Sequence, residues 1–242
     1  MRFAILAAGE SSRMRAEGVA TPKPLVKVAG VPILERLLVL ARENGAREVS
    51  CIVNAELPEL RLFLTERSFG VPVRVLVQST PSSLHSLQAL APGLQGEPFC
   101  LLTADAVFPA HELTGFLDAA RRSAAAGTLA VTSYVHDEKP LHVRVDGGGR
   151  ILAFEDTAAG APSVTGGLYY LSERVLPDID AAVAAGVSRL RNALRFLVQR
   201  GHDLRAYSFS RIVDVDRMSD LGPAEELLAA EGAAAGLQEG RA

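Results

Sequence analysis

Two fixed cations, Arg13 and Lys23, stand ten residues apart in a polar, turn-rich stretch. Ahead of them an apolar run ends in Leu6-Ala7-Ala8-Gly9, whose small side chains let a ligand lie against bare backbone. The N–H groups of such backbone are good phosphate donors. Ser11 and Ser12 add hydroxyl donors. Small residues, hydroxyls and two cations in that order suit a polyphosphate gripped from two sides. The stretch is not a P-loop, because no Gly-Lys-Ser/Thr follows the glycine. Nor is it a dinucleotide fingerprint, because no further glycine comes before Gly18.

Three carboxylates are placed for related chemistry. Asp105 stands one residue past the apolar run Phe99–Thr103, after Ala104. A turn aspartate is the plain structural reading, but the end of a central strand is also where a metal-binding carboxylate is useful. Asp214 and Asp216 lie two apart in an extended segment, so both face the same way. Like charges that close are costly unless a cation lies beside them; the competing reading is a solvated acidic edge.

These residues must be positioned by elements that the sequence also marks. Strand-like runs (3–6, 48–54, 71–77, 99–103, 128–134) alternate with helical ones (32–43, 58–67, 83–90, 109–126), the spacing of βαβ units. A parallel sheet follows for the first half, with ligands over the carboxyl ends of its strands. That puts residues 7–23, Gln78 to Ser86 and 103–107 on one rim. In the second half, Asp146-Gly147-Gly148-Gly149 marks a hairpin between 141–145 and 150–154. A strand at 166–171, helices at 173–185 and 188–200, a strand at 204–208 and a helix at 220–230 complete the pattern. One domain over 1–231 is expected, with a nucleotide half (1–135), an acceptor and metal half (136–231) and a flexible tail at 232–242.

Composition narrows the classes. The 242 residues are 48% hydrophobic, ample for a core, and the net charge is −3 with a pI near 6.0. That balance argues against a general nucleic-acid or membrane-surface binder. Cys51 and Cys100 sit inside apolar strands and read as buried free thiols. With no signal peptide or membrane span visible, a cytoplasmic protein is expected.

The ordered set of an early strand, A-A-G, S-S-R-M and T-P-K-P-L resembles the signature of the nucleotidyltransferase superfamily. That superfamily includes sugar-1-phosphate nucleotidyltransferases and relatives acting on molybdenum cofactor or phosphocholine. The resemblance implies an α/β fold: a three-layer, Rossmann-like (GT-A-like), mainly parallel sheet flanked by helices, with a small β-containing acceptor or lid region. It implies catalytic roles for Arg13 and Lys23. Leu6, Ala7, Ala8 and Gly9, with Ser11 and Ser12, would bind the nucleotide, as would Gln78 and Ser83 near the base. Mg²⁺ would be held by Asp105 together with Asp214 or Asp216, of which Asp214 is favoured. Glu155, Thr165 and Gly166 match the acceptor-side pattern, Gly166 leaving room for an acceptor ring. The implied partners are a nucleoside triphosphate and a small phosphorylated acceptor, with pyrophosphate released. One departure is Ser82-Ser83-Leu84 where relatives carry a glycine, followed by an unexpected His85. A non-catalytic nucleotide-binding protein of the same fold is the main competitor. A GT-A glycosyltransferase is disfavoured because Asp105-Ala106-Val107 is not D-x-D.

Overall fold

A computed structural model describes residues 1–136, 138–158 and 160–239. The chain begins with strand β1 (Arg2–Ala7), the short helix α1 (Ser12–Ala16), the two-residue strands β2 (Lys27–Val28) and β3 (Val31–Pro32), and helix α2 (Ile33–Glu43). Next come β4 (Glu48–Val53), α3 (Pro58–Thr65), β5 (Val73–Val77), α4 (Ser83–Leu90), β6 (Phe99–Thr103) and β7 (Ala106–Val107). Helix α5 (Ala110–Arg122) leads to β8 (Gly127–Thr132), the hairpin β9 (His142–Val145) and β10 (Ile151–Glu155), and the long β11 (Ser163–Leu171). The remainder is α6 (Leu176–Ala184), α7 (Leu190–Gln199), β12 (Leu204–Phe209), β13 (Val213–Asp214) and α8 (Leu221–Glu239). Of the tail expected at 232–242, residues 232–239 continue α8, and 240–242 lie outside the described residues.

The parallel part of the sheet has the order β5-β4-β1-β6, and the alternation predicted from sequence is what builds it. Along β1, Phe3, Ile5 and Ala7 join one buried cluster while Ala4 and Leu6 join the other. Each strand residue points to the face opposite its neighbour, so an all-apolar strand must be covered on both sides. Helices α2, α3, α5 and α8 cover one face, and α4, α6 and α7 cover the other. Cys51 and Cys100 are free and buried in these strands; burial pushes the Cys51 thiol up to about 12 and raises Cys100 as well.

The sheet departs from expectation at one place. β8 does not join the parallel strands of the first half; β11, from the second half, lies between β6 and β8 and runs antiparallel to both. β11 also changes partner along its length. Ser163 and Val164 pair with β9, whereas Leu168 to Leu171 pair with β6, and the switch occurs at Gly166-Gly167. Gly167 has φ +75, and a Cβ there would fall 2.3 Å from Thr103 Oγ1. Only glycine meets both demands. The two halves of the chain are therefore interleaved next to the carboxyl end of β6.

Candidate active site

The segments following β1, β5 and β6 lie on one rim. Leu6 pairs with Thr103 and Ala7 with Val53, while the Ala104 N–H donates to Leu6 O at 3.1 Å and the Gln78 N–H to Val53 O at 2.9 Å. Beyond β1 the chain turns through Ser11, at φ 56, into α1. Ser11 Oγ accepts the Lys23 N–H at 2.9 Å and closes the loop. A cavity of about 260 Å³ opens there, lined by Ala7, Gly9, Ser11 and Ser12 together with Arg13 and Lys23. Asp105 and Asp216 complete it.

Lys23 is the hub of this cavity. Its Nζ donates to Asp105 Oδ2 at 2.7 Å and also to Asp216 Oδ1, and Arg13 pairs with Asp216 Oδ2. Only 13% of the Lys23 side chain is exposed, although its Pro-flanked, polar sequence suggested a surface loop. Burial by itself would lower the Lys23 pKa, but the carboxylates of Asp105 and Asp216 outweigh it and hold the ammonium above its ordinary range. Burial likewise pushes Asp105 up, and the charge and hydrogen bond of Lys23 reverse this, leaving the carboxyl below its ordinary range.

Asp105 and Asp214 are brought together by backbone. β7 and β13 form a two-residue antiparallel ladder that sets Asp214 opposite Ala106, and the Val215 N–H donates to Asp105 O at 2.9 Å. Asp105 Oδ1 is buried and accepts no hydrogen bond. Among the described residues no three metal-ligating side chains cluster. Two carboxylates beside a phosphate site are what Mg²⁺ asks for, since it takes one or two carboxylates and fills its octahedron with phosphate oxygens and water. Asp216 shares the Lys23 ammonium with Asp105, but both of its oxygens are engaged, Oδ1 by Lys23 and Oδ2 by Arg13. Its backbone is fixed by Asp220, whose Oδ2 accepts the Asp216 and Arg217 N–H groups at 2.8 and 2.7 Å.

A second cavity, of about 350 Å³, adjoins the first and shares Arg13, Asp105 and Asp216 with it. Asp214, Thr165 and Ser83 line it, as do Gly167 and Tyr169, so that Ser83, expected near the base, stands with Thr165, expected on the acceptor side. Burial, with Asp214 and Asp105 nearby, raises the Tyr169 hydroxyl pKa, so that group stays protonated. Other expected residues stand elsewhere. Glu155 pairs with Arg144 at 2.8 Å and lines neither cavity, and Gln78 is exposed on the rim outside both. Gly166 borders a small neighbouring pocket, but the space where its side chain would be is filled by Ile212, whose Cδ1 would lie 2.1 Å from a Cβ. Ser83 Oγ accepts the Leu190 N–H at 2.9 Å, and Ser82 Oγ accepts the Arg189 N–H at 2.9 Å while bonded to His85 Nδ1. The unexpected Ser-Ser and His85 thus hold the start of α7 against α4. Three residues the sequence reading missed, Lys139, Arg189 and Arg191, also line the second cavity. The two arginines in the Ser188-Arg189-Leu190-Arg191 run were the available signal.

The loop after β1, the half-buried Lys23–Asp105 pair at the end of β6 and the second-half strand β11 meet in one site. The model of the family described as MobA-like NTP transferase domain matches residues 3–204, and the chain belongs to that family. Mannose-1-phosphate guanylyltransferase catalytic subunit beta of Drosophila melanogaster is 30% identical over 188 residues, covering 74% of this chain and 50% of that protein. CMP-5'-(3-aminopropyl)phosphonate synthase of Streptomyces rubellomurinus is 30% identical over 197 residues, covering 74% of this chain and 30% of that protein. The chain spans about half or less of the length of these curated relatives. The solved inositol-1-phosphate CTP transferase from T. maritima shares the fold, with a TM-score of 0.81, 19% identity and 95% of each chain covered. Among the described residues no helix is long and apolar enough to cross a membrane.

Proposed function

We propose that this protein transfers a nucleoside monophosphate from a nucleoside triphosphate to a small phosphorylated acceptor, a sugar 1-phosphate or a similar phosphate, and releases pyrophosphate. The observation that carries this reading is the pair of adjoining cavities with Arg13, Asp105 and Asp216 in common. The loop cavity suits the triphosphate, and the second suits the acceptor. On this reading the α-phosphorus and the attacking oxygen meet at the residues the two cavities share.

An acceptor phosphate oxygen forms a bond to the α-phosphorus as the bond from that phosphorus to the pyrophosphate oxygen breaks. The acceptor phosphate is already an anionic nucleophile, so the step needs no general base. The difficulty is the approach of two anions, and the residues in place address it. Backbone N–H groups and the hydroxyls of Ser11 and Ser12 seat the phosphates, while Arg13 and Lys23 offset charge that grows on the leaving group. Asp105 and Asp214 would hold Mg²⁺, which supplies further charge neutralisation and orients phosphate oxygens. Lys23 must exchange some of its carboxylate contacts for phosphate contacts when the triphosphate enters. Asp216 keeps both cations directed at the loop until then.

Pyrophosphate release, measured with each common nucleoside triphosphate against a panel of phosphorylated acceptors, tests the reading. One triphosphate–acceptor pair giving acceptor-dependent release supports it. Triphosphate binding without release for any acceptor would favour a non-catalytic nucleotide-binding protein.

A further inference from the structure

We infer that the acceptor carries a second anionic group besides the phosphate that attacks, and that Arg189, with Arg191 and Lys139, receives it. The inference rests on reading the second cavity as the acceptor site. Arg13 lines both cavities, but Lys139, Arg189 and Arg191 line only the second. They are therefore addressed to the acceptor and not to the triphosphate. The reacting phosphate meets Arg13 where the cavities join and has Lys23 beyond it in the first cavity, and two further arginines exceed what one phosphate requires.

The cations come from two segments that the fold ties together. Arg191 Nη2 donates to Lys139 O at 2.7 Å, joining the segment before β9 to the start of α7. Arg191 spends little of its charge elsewhere: its nearest carboxylate, Asp156, is 4.0 Å away and bonded to Arg195 at 2.6 Å. The Arg189 guanidinium has no ion-pair partner among the described residues. Its backbone, at φ 66 and ψ 141, lies where glycine is favoured and a side chain is strained. Ser82 Oγ, backed by His85, and Ser83 Oγ hold the Arg189 and Leu190 N–H groups in that conformation. The fold thus keeps a long cationic side chain at a position whose backbone prefers none, beside a cavity of about 350 Å³. Glu155, expected on the acceptor side, is turned to Arg144 and adds no carboxylate to this cavity. Arginines whose charge is not spent on a nearby carboxylate suit a carboxylate or phosphate on the acceptor.

Calorimetric titration separates these cases. Glucose 1-phosphate, glucuronic acid 1-phosphate and glucose 1,6-bisphosphate are titrated into the protein with Mg²⁺ and each α,β-methylene nucleoside triphosphate. The expected result is that at least one of the two acceptors with a second anion binds about tenfold tighter than glucose 1-phosphate. The carboxylate and phosphate arms show which group is preferred. In Arg189→Gln the affinity ratio falls towards one, and Arg189→Lys retains part of it. Glucose 1-phosphate binding as tightly as both others, no binding of any of the three, or a ratio unchanged in Arg189→Gln would overturn the inference. Failure of the transfer reading is seen separately, as absence of pyrophosphate release with the cleavable triphosphates, and leaves the affinity ratio to be read.

Discussion

Lys23 Nζ lies 2.7 Å from Asp105 Oδ2 although 82 residues separate them, and the same ammonium also holds Asp216, 193 residues further along. One side chain from the nucleotide loop thereby ties together a strand end of the first half and the closing segment of the second. An apolar replacement of Lys23 should affect both catalysis and folding, because it leaves two carboxylates facing each other. Lys23→Met should lower turnover on the order of a hundredfold through loss of one charge-stabilising contact. It should also cost about 1–3 kcal/mol of stability, less than a fully buried pair because Asp105 and Asp216 each keep 30% of their side-chain surface in water.

The pH dependence of that stability has a definite sign. Asp105 is shifted down from 3.8, so its contribution is present above that pH and is lost as pH falls through the folded-state value. Lys23 is shifted up from 10.5, so its contribution is present below that pH and is lost as pH rises through the folded-state value. Melting temperatures of the wild type and Lys23→Met should differ by a constant amount from about pH 5 to about pH 9, and the gap should close in stronger acid. A gap that widens in acid would show that the pair does not carry the stability.

The metal assignment divides the three aspartates. Chelation should abolish transfer and Mg²⁺ should restore it. Asp105→Asn and Asp214→Asn should each cost on the order of a hundredfold or more, and the double change little beyond either, since both remove the same ion. Asp216→Asn should remain metal-dependent, because both oxygens of that carboxylate are engaged by Arg13 and Lys23, whereas Asp105 Oδ1 accepts no hydrogen bond. Metal titrations of activity in the three variants check this. Loss of metal dependence in Asp216→Asn alone would move the ligand to that residue.

Gly166 gives a test of the packing beneath the site. Gly166→Ala places a Cβ 2.1 Å from Ile212 Cδ1, in a core where Ile212 is only 4% exposed. The overpacking should cost about 1–2 kcal/mol. Ile212→Val removes that Cδ1 atom, so the double variant should recover part of the loss. Denaturant unfolding of all four proteins gives the coupling, and strictly additive costs would show that the two side chains do not compete for the space.

Much of this was legible in the sequence because it is local. Continuous apolar runs at βαβ spacing gave the strands, and a strand–small residue–hydroxyl–cation order gave the loop, whose Arg13 and Lys23 line one cavity. What was not legible depends on long-range register. The ladder joining Asp105 and Asp214 consists of two residues in each strand, too short to leave a pattern. β11 lies between β6 and β8 because a glycine pair lets it switch partners, which no local propensity encodes. Glu155 matched a motif, yet a strand residue's face is fixed by register, and the register of β10 turns it to Arg144. Arg189 was missed because its importance lies in a backbone conformation imposed by two serines more than a hundred residues earlier.

The most direct measurement of the central claim follows the oxygen atoms. The acceptor phosphate, labelled with ¹⁸O at its non-bridging positions, is incubated with an unlabelled triphosphate and the products are weighed by mass spectrometry. Attack by that phosphate on the α-phosphorus predicts that all label stays in the nucleoside diphosphate–acceptor product and none enters the pyrophosphate, which appears in equal amount. Release of orthophosphate, or label found in the pyrophosphate, would contradict the account.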